Sequence, residues 1–139
     1  QVLLIRHAPA VDREEFATAG EDDSLRPLTE LGRRKMQRIA RGLCQLVPHL
    51  DLLAASPLAR ARETADVLGR EYGGLERIEI AELTPDAPTS ALLRWLRERR
   101  ESSIALVGHE PDLSRHASWL LAAKRKPFLT FRKGGACLL

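Results

Sequence analysis

The chain has 139 residues, enough for one ordinary domain spanning 1–139 and short for a second lobe. Its 44% hydrophobic and 29% charged residues exclude a disordered composition, and no apolar run approaches the roughly 20 residues that cross a bilayer. The balance of 22 basic and 19 acidic residues, net +3, is too small and too dispersed to point to nucleic acid.

The first apolar run, Val2 to Ile5, reads as a buried strand rather than a secretory leader, so a cytoplasmic location is expected. It ends abruptly on Arg6 and His7. A long polar connection follows from Asp12 to Arg26, with six acids among the twelve residues Asp12 to Asp23; connections of that length in a small domain are usually functional or mobile. Met36, Ile39, Ala40, Leu43 and Val47 then keep helical spacing. Arg33, Arg34, Lys35, Arg38 and Arg41 crowd the same helix, either as a solvated face or as a docking surface for an acidic partner.

Leu50 to Ala55 predicts a second strand, and Leu58, Ala61, Ala65, Leu68 and Tyr72 a second helix. Ser56-Pro57 suits that helix's cap and first turn, and Gly73-Gly74 its end. A third strand is expected over Ile78 to Leu83. A third helix should run from Thr89, after Pro88, through Leu92, Leu93 and Leu96 to Arg99-Arg100. Ile104 to Val107 predicts the fourth strand, and Leu113, Ala117 and Leu120 a helix that opens near Pro111-Asp112. Phe128 to Phe131 and Ala136 to Leu139 read as a final pair of strands, and the apolar ending suggests that the natural protein continues for one more edge element.

Strands alternating with helices predict an α/β fold, a three-layer sandwich whose mostly parallel sheet is covered on both sides. In such sheets ligands bind beyond the carboxyl ends of the strands. Arg6 and His7 follow the first strand, Ser56, Pro57 and Arg60 the second, Glu82 the third, and His109 and Glu110 the fourth. Any one of these alone is unremarkable. Together they set two arginines, two histidines and two candidate acids on one rim. His49 and His116 fall beside or within helices and are expected to be structural.

A phosphoryl group suits this set. Guanidinium groups match its oxygens with forked donors, and a neutral imidazole can attack phosphorus and form a covalent intermediate. Metal chemistry is not suggested, since there is no HxH, HExxH or paired cysteine, and no cofactor is implied. Cys44 and Cys137 lack CxxC spacing and read as small buried apolar residues; Leu50 stands six residues after Cys44, where a cysteine phosphatase needs arginine. A P-loop is absent as well.

With these residues in place, the chain resembles the histidine phosphatase superfamily, named for its RHG motif, and is most similar to the small SixA-type phosphohistidine phosphatases. The resemblance rests on "LLIRHAPA", "SLRPLTELG" from Ser24 to Gly32, "LLAASPLARARETADVL" from Leu52 to Leu68, "ELTP" from Glu82 to Pro85, and "LVGHEPDLS" from Leu106 to Ser114. It implies a phosphoglycerate mutase-like fold. It also implies a phosphate pocket of Arg6, His7, Arg60 and His109, with His7 as the phosphorylated nucleophile and His109 stabilising charge in the transition state. The proton donor would be Glu82 or Glu110, Glu82 being preferred.

Two departures narrow the branch. Ala8 replaces the usual glycine, as it often does in small members, and Arg13 stands near a position where the mutases carry asparagine, a residue the chain lacks entirely. With only the Asp12 to Arg26 connection available to cap the pocket, the expected substrate is phosphohistidine on a signalling protein, such as a histidine-containing phosphotransfer domain. The alternatives are a small phosphomonoester, or a non-catalytic phosphate-binding or scaffold role.

Overall fold

Apolar residues fill both faces of the strands, so the sheet needs helices on both sides. In the computed structural model, which describes residues 1–124 and 126–139, the order is β1 (Val2–Arg6), α1 (Arg13–Thr18), α2 (Glu30–Leu46), β2 (Leu52–Ala55), α3 (Ala59–Glu71), β3 (Arg77–Glu79), α4 (Thr89–Arg97), β4 (Ile104–Gly108), α5 (Asp112–Ala122) and β5 (Ala136–Leu138). The sheet order is β3-β2-β4-β1-β5, parallel except for the antiparallel β5. The expected three-layer α/β architecture is present.

Alternation along the strands separates two cores. Leu3, Ile5, Leu53, Ala105 and Val107 point to one face and pack with Met36, Ala40, Ala65 and Leu68 of α2 and α3. Leu4, Ala54 and Leu106 point to the other and pack with Leu92, Leu113 and Ala117 of α4 and α5. Among the described residues no helix is long and apolar enough to cross a membrane.

Three local expectations are corrected. The third strand covers only Arg77–Glu79; the chain then turns through a 3-10 segment, Ala81–Leu83, that buries Leu83 in the second core. Phe128 to Phe131 forms no strand, because the Phe131 backbone is already committed: its carbonyl accepts from Arg6 Nη1 at 2.7 Å and its N–H donates to the Glu110 carboxylate. Nor does Ser56 cap α3, whose N-cap is Leu58. The Asp12 to Arg26 connection is also more ordered than its composition implies, since it holds α1 and a 3-10 turn at Asp23–Leu25. Both cysteines are free and only partly buried.

One glycine ties the α2 entry to the strand end. A Cβ built on Gly32 would lie 2.0 Å from the Pro9 carbonyl oxygen, two residues beyond His7. Backbone on both sides leaves little room to relax. Gly32→Ala is expected to destabilise the protein by about 1–3 kcal/mol, measured as a lowered urea midpoint, and to lower activity through displacement of the 7–10 segment.

Candidate functional site

The register of two parallel strands builds the centre of the site. β1 pairs with β4 so that Arg6 faces Gly108, and the next residues on each chain are His7 and His109. The His7 N–H donates to the Gly108 carbonyl at 3.1 Å, which keeps the two strand ends together. Their imidazoles therefore meet, with ring centroids 5.2 Å apart and an interplanar angle of 54°. β2 lies on the other side of β4 and delivers Ser56, whose N–H donates to Val107 O at 3.0 Å. In the first turn of α3, Arg60 reaches the same cavity.

Each group is held by a specific partner. His7 Nδ1 lies 2.7 Å from Ala8 O; a carbonyl only accepts, so Nδ1 carries the proton and Nε2 presents a lone pair. The Ala8 N–H donates to Thr64 Oγ1 at 3.0 Å, and that hydroxyl donates to Arg60 O at 2.7 Å, linking the His7 loop to α3. Ala8 is fully buried and is not among the residues with positive φ, so the backbone here does not require glycine. His109 Nε2 is 2.9 Å from Ser56 Oγ. Arg6 is fixed by the Phe131 carbonyl, and Arg60 by Asp23 through Nη1 to the main-chain carbonyl (2.9 Å) and Nη2 to Oδ2 (3.1 Å).

Arg6, His7, Arg60 and His109 line a cavity of about 370 Å³ together with Ala10, Val11, Asp12, Arg13, Arg26, Pro85, Glu110 and Lys133. Arg60 and His109 are 2% and 4% exposed, yet Arg60 Nε, Arg6 Nε and His109 Nδ1 are buried without a hydrogen-bond partner among the described residues. Of these, the two guanidinium Nε–H groups are donors whatever the tautomer of His109, and buried donors are costly unless something accepts from them. A phosphoryl group would bring charged oxygen acceptors to this arginine-lined cavity. Burial, opposed by the bond to Ala8 O and reinforced by the charges of Arg60, Arg6 and Arg26, pulls the His7 pKa down to about 4. Burial, then the Arg60 charge and His7, pull His109 down to about 3. Both rings are neutral near pH 7, which leaves His7 Nε2 free to act as a nucleophile.

The structure thus brings together Arg6, His7, Arg60, His109 and Glu110, and does not bring in Glu82. Glu82 sits half-buried on the 3-10 turn, and the cavity lining contains Pro85 from that region. Glu110 faces the cavity, but its carboxylate already accepts from Ser114 N, from Ser114 Oγ at 2.6 Å and from Phe131 N. Asp12, the other lining acid, accepts from Glu14 N and Glu15 N as the α1 cap. Among the described residues no cluster of three or more His, Cys, Asp or Glu is placed to hold a metal ion. His49 pairs with Asp51 at the surface and His116 is buried against Thr89 Oγ1, away from the cavity lining.

Arg26, Arg13, Lys133 and Ser56 also belong to the site. Arg26 was visible as the arginine of "RPLT", and Ser56 as the residue closing β2. Arg13 is legible in the sequence only as a departure from the mutases and Lys133 not at all, since only the folding of α1 and the 132–135 turn brings them to the rim.

A family model described as histidine phosphatase superfamily (branch 1) matches residues 2–84. An uncharacterized protein of Picosynechococcus sp. is 34% identical over 97% of this chain and 81% of its own length. Among solved structures, a protein of Agrobacterium tumefaciens named for the phosphohistidine phosphatase SixA superposes with a TM-score of 0.76 at 28% identity, covering 88% of this chain and 77% of that one. The protein histidine phosphatase SixA complexed with tungstate superposes with a TM-score of 0.72 at 24% identity, over 98% and 92% of the two chains, and shares the fold.

The buried histidines set a pH dependence of stability. In the unfolded chain they titrate near 6.5, whereas folded His7 and His109 titrate near 4 and 3, so as pH falls the unfolded state takes up protons first. Their contribution is complete above 6.5 and is lost progressively as pH falls from there, to about 4 for His7 and about 3 for His109. In phosphate-free buffer the urea midpoint should fall between about pH 7.5 and about pH 5, and an unchanged midpoint would contradict neutral burial of these rings.

Proposed function

The chain belongs to the histidine phosphatase superfamily, and we propose that this phosphatase hydrolyses phosphohistidine on another protein, without a metal, through a phosphorylated His7. His7 Nε2 attacks phosphorus as the P–N bond of the substrate breaks, and the departing imidazole leaves neutral because it can carry its proton on the distal ring nitrogen beforehand. A water then attacks the phosphorus of phospho-His7. The P–Nε2 bond breaks, inorganic phosphate leaves, and the proton of the water passes to solvent. Arg6 and Arg60 hold the phosphoryl oxygens, and His109 meets the charge that builds on them in each transition state.

What carries the substrate class is the state of the acids. A phosphomonoester leaves as an alkoxide and needs a positioned donor. Here Glu82 lies off the cavity, while Glu110 and Asp12 are engaged as acceptors by Ser114, Phe131, Glu14 and Glu15. A phosphoramidate needs no such donor, so the site suits it better. The expected result is turnover of a chemically phosphorylated histidine-phosphotransfer domain in preference to sugar phosphates and nucleotides, with label trapped on His7 by rapid quench and lost in His7→Ala. Turnover of the small esters alone would replace the substrate assignment, and absence of a trapped phosphoenzyme would favour a non-catalytic phosphate-binding or scaffold role.

A partner protein would meet the outer face of α2, whose N-terminal turn abuts the site through the Thr29 N–H to Pro9 O bond at 3.1 Å. Arg33 and Arg41 are drawn into pairs with Glu63 (2.8 Å) and Glu71 (3.6 Å). Arg34, Lys35 and Arg38 are exposed and form no ion pair among the described residues, so they remain for an acidic surface. Reversing these three charges should lower kcat/KM for an acidic phosphoprotein by about 10-fold at low salt, through association, with phosphoramidate turnover unchanged. An equal loss on both substrates would place the effect in the site and not in docking.

A further inference from the structure

Arg60 is almost completely buried in the first turn of α3, and an arginine side chain loses much rotamer freedom when it is held in one place. A guanidinium that must meet a phosphoryl group in one orientation needs a fixed partner. Arg6 has the Phe131 carbonyl for this purpose. Arg60 receives its partner from the 12–26 connection. We infer that Asp23 is a positioning residue for Arg60, holding its guanidinium by both the carboxylate and the main-chain carbonyl in the orientation that binds the transferred phosphoryl group; this rests on the reading of Arg60 as a phosphoryl ligand.

The contacts are divided in a way that suits this task. Asp23 O accepts from Arg60 Nη1 at 2.9 Å and Oδ2 from Nη2 at 3.1 Å, so each terminal nitrogen is engaged once. The guanidinium keeps its remaining N–H groups, including the buried Nε–H that has no partner among the described residues. Asp23 is therefore a hinge for Arg60 and does not saturate it.

The second carboxylate oxygen is also in use. Oδ1 accepts from Arg26 Nε at 2.8 Å and lies 3.5 Å from Arg13 Nε, while Arg26 Nη1 donates to Val11 O at 2.8 Å. One acid thus serves three guanidinium groups from three segments, and the cluster keeps a net positive charge for a phosphoryl dianion. Burial raises the Asp23 pKa, but the Arg26 hydrogen bond and the charges of Arg60, Arg26 and Arg13 outweigh it and hold the group below the ordinary carboxylate range. Asp23 therefore stays ionised near neutral pH. Its own placement is local: Asp22 caps the 3-10 turn by accepting from Ser24 N at 2.8 Å, which presents Asp23 to α3.

The Asp23 carboxylate is half-exposed, and in its absence Arg60 keeps the Asp23 main-chain acceptor, so loss of the charge is expected to cost little stability. The value of the pair is geometric, and this separates positioning from a structural role. Asp23→Asn keeps the main-chain bond and much of the shape. It should lower kcat/KM on phosphoramidate by on the order of 10- to 100-fold, mostly in kcat, with a thermal midpoint close to wild type; Asp23→Glu should restore part of the loss. Inorganic phosphate binding, followed by calorimetry, should weaken in Asp23→Asn but change little when the same substitution is made in an Arg60→Gln background. The binding arm is independent of turnover, so failure of the phosphatase reading would leave it informative. Undiminished kcat/KM and phosphate affinity in Asp23→Asn would overturn the inference, as would an equal loss in the Arg60→Gln background. Tighter phosphate binding would also overturn it, because it would make Asp23 a competitor for Arg60.

Discussion

Parallel pairing of β1 with β4 is the constraint on which the site depends. Because Arg6 stands opposite Gly108, the next residue on each strand is a histidine, and the two rings have nowhere to go but beside each other. The pairing itself rests on the doubly buried strands: Leu3 and Ile5 face one core, Leu4 the other, and a slip of one residue would exchange the faces. Hydrophobic burial thereby sets the geometry of a polar centre. It also buries both imidazoles beside Arg60, and burial together with that charge keeps them neutral.

Cations in such a place need support that does not cancel them. Arg6 is held by a neutral carbonyl, and Arg60 by a carbonyl and a carboxylate that is shared with Arg26 and Arg13. Full pairing of each guanidinium with its own acid would have stabilised the empty cluster at the expense of anion binding. What is observed instead is a cluster with a surplus of positive charge and with guanidinium donors that find no acceptor among the described residues. The same economy governs the acids, since Glu110 and Asp12 are spent on backbone groups and hydroxyls that hold the rim in shape.

The 132–135 turn, just before β5 pairs with β1, completes the site through Lys133 and its own backbone. Gly134 N–H donates to the Arg6 and His7 carbonyls at 3.1 Å each, and the Arg6 N–H donates to Gly135 O at 3.0 Å. These bonds clamp the end of β1 and lead the chain into β5. Phe131, one step earlier, gives its whole backbone polarity to Arg6 and Glu110. Its apolar side chain remains in the second core, so the run Phe128 to Phe131 has the composition of a strand without the pairing of one.

Legible in the chain alone were the alternation of elements, the doubly covered sheet and a rim that gathers Arg6, His7, Arg60 and His109 with two candidate acids. These follow from local information: the period of apolar residues, the turn residues that bound each element, and the rule that places ligands beyond strand ends. The choice of those four as a phosphate pocket came from the family resemblance. Tertiary structure alone decided which acids face the cavity, because Glu82 and Glu110 both follow strands, and only the turn at Ala81–Leu83 and the hydrogen bonds at Phe131 and Ser114 separate them. It likewise decided the role of the acidic 12–26 stretch. Its composition signals polarity, but a contact between residues 23 and 60 is set by how the connection folds over α3, and such long-range pairings leave no periodic trace in the chain.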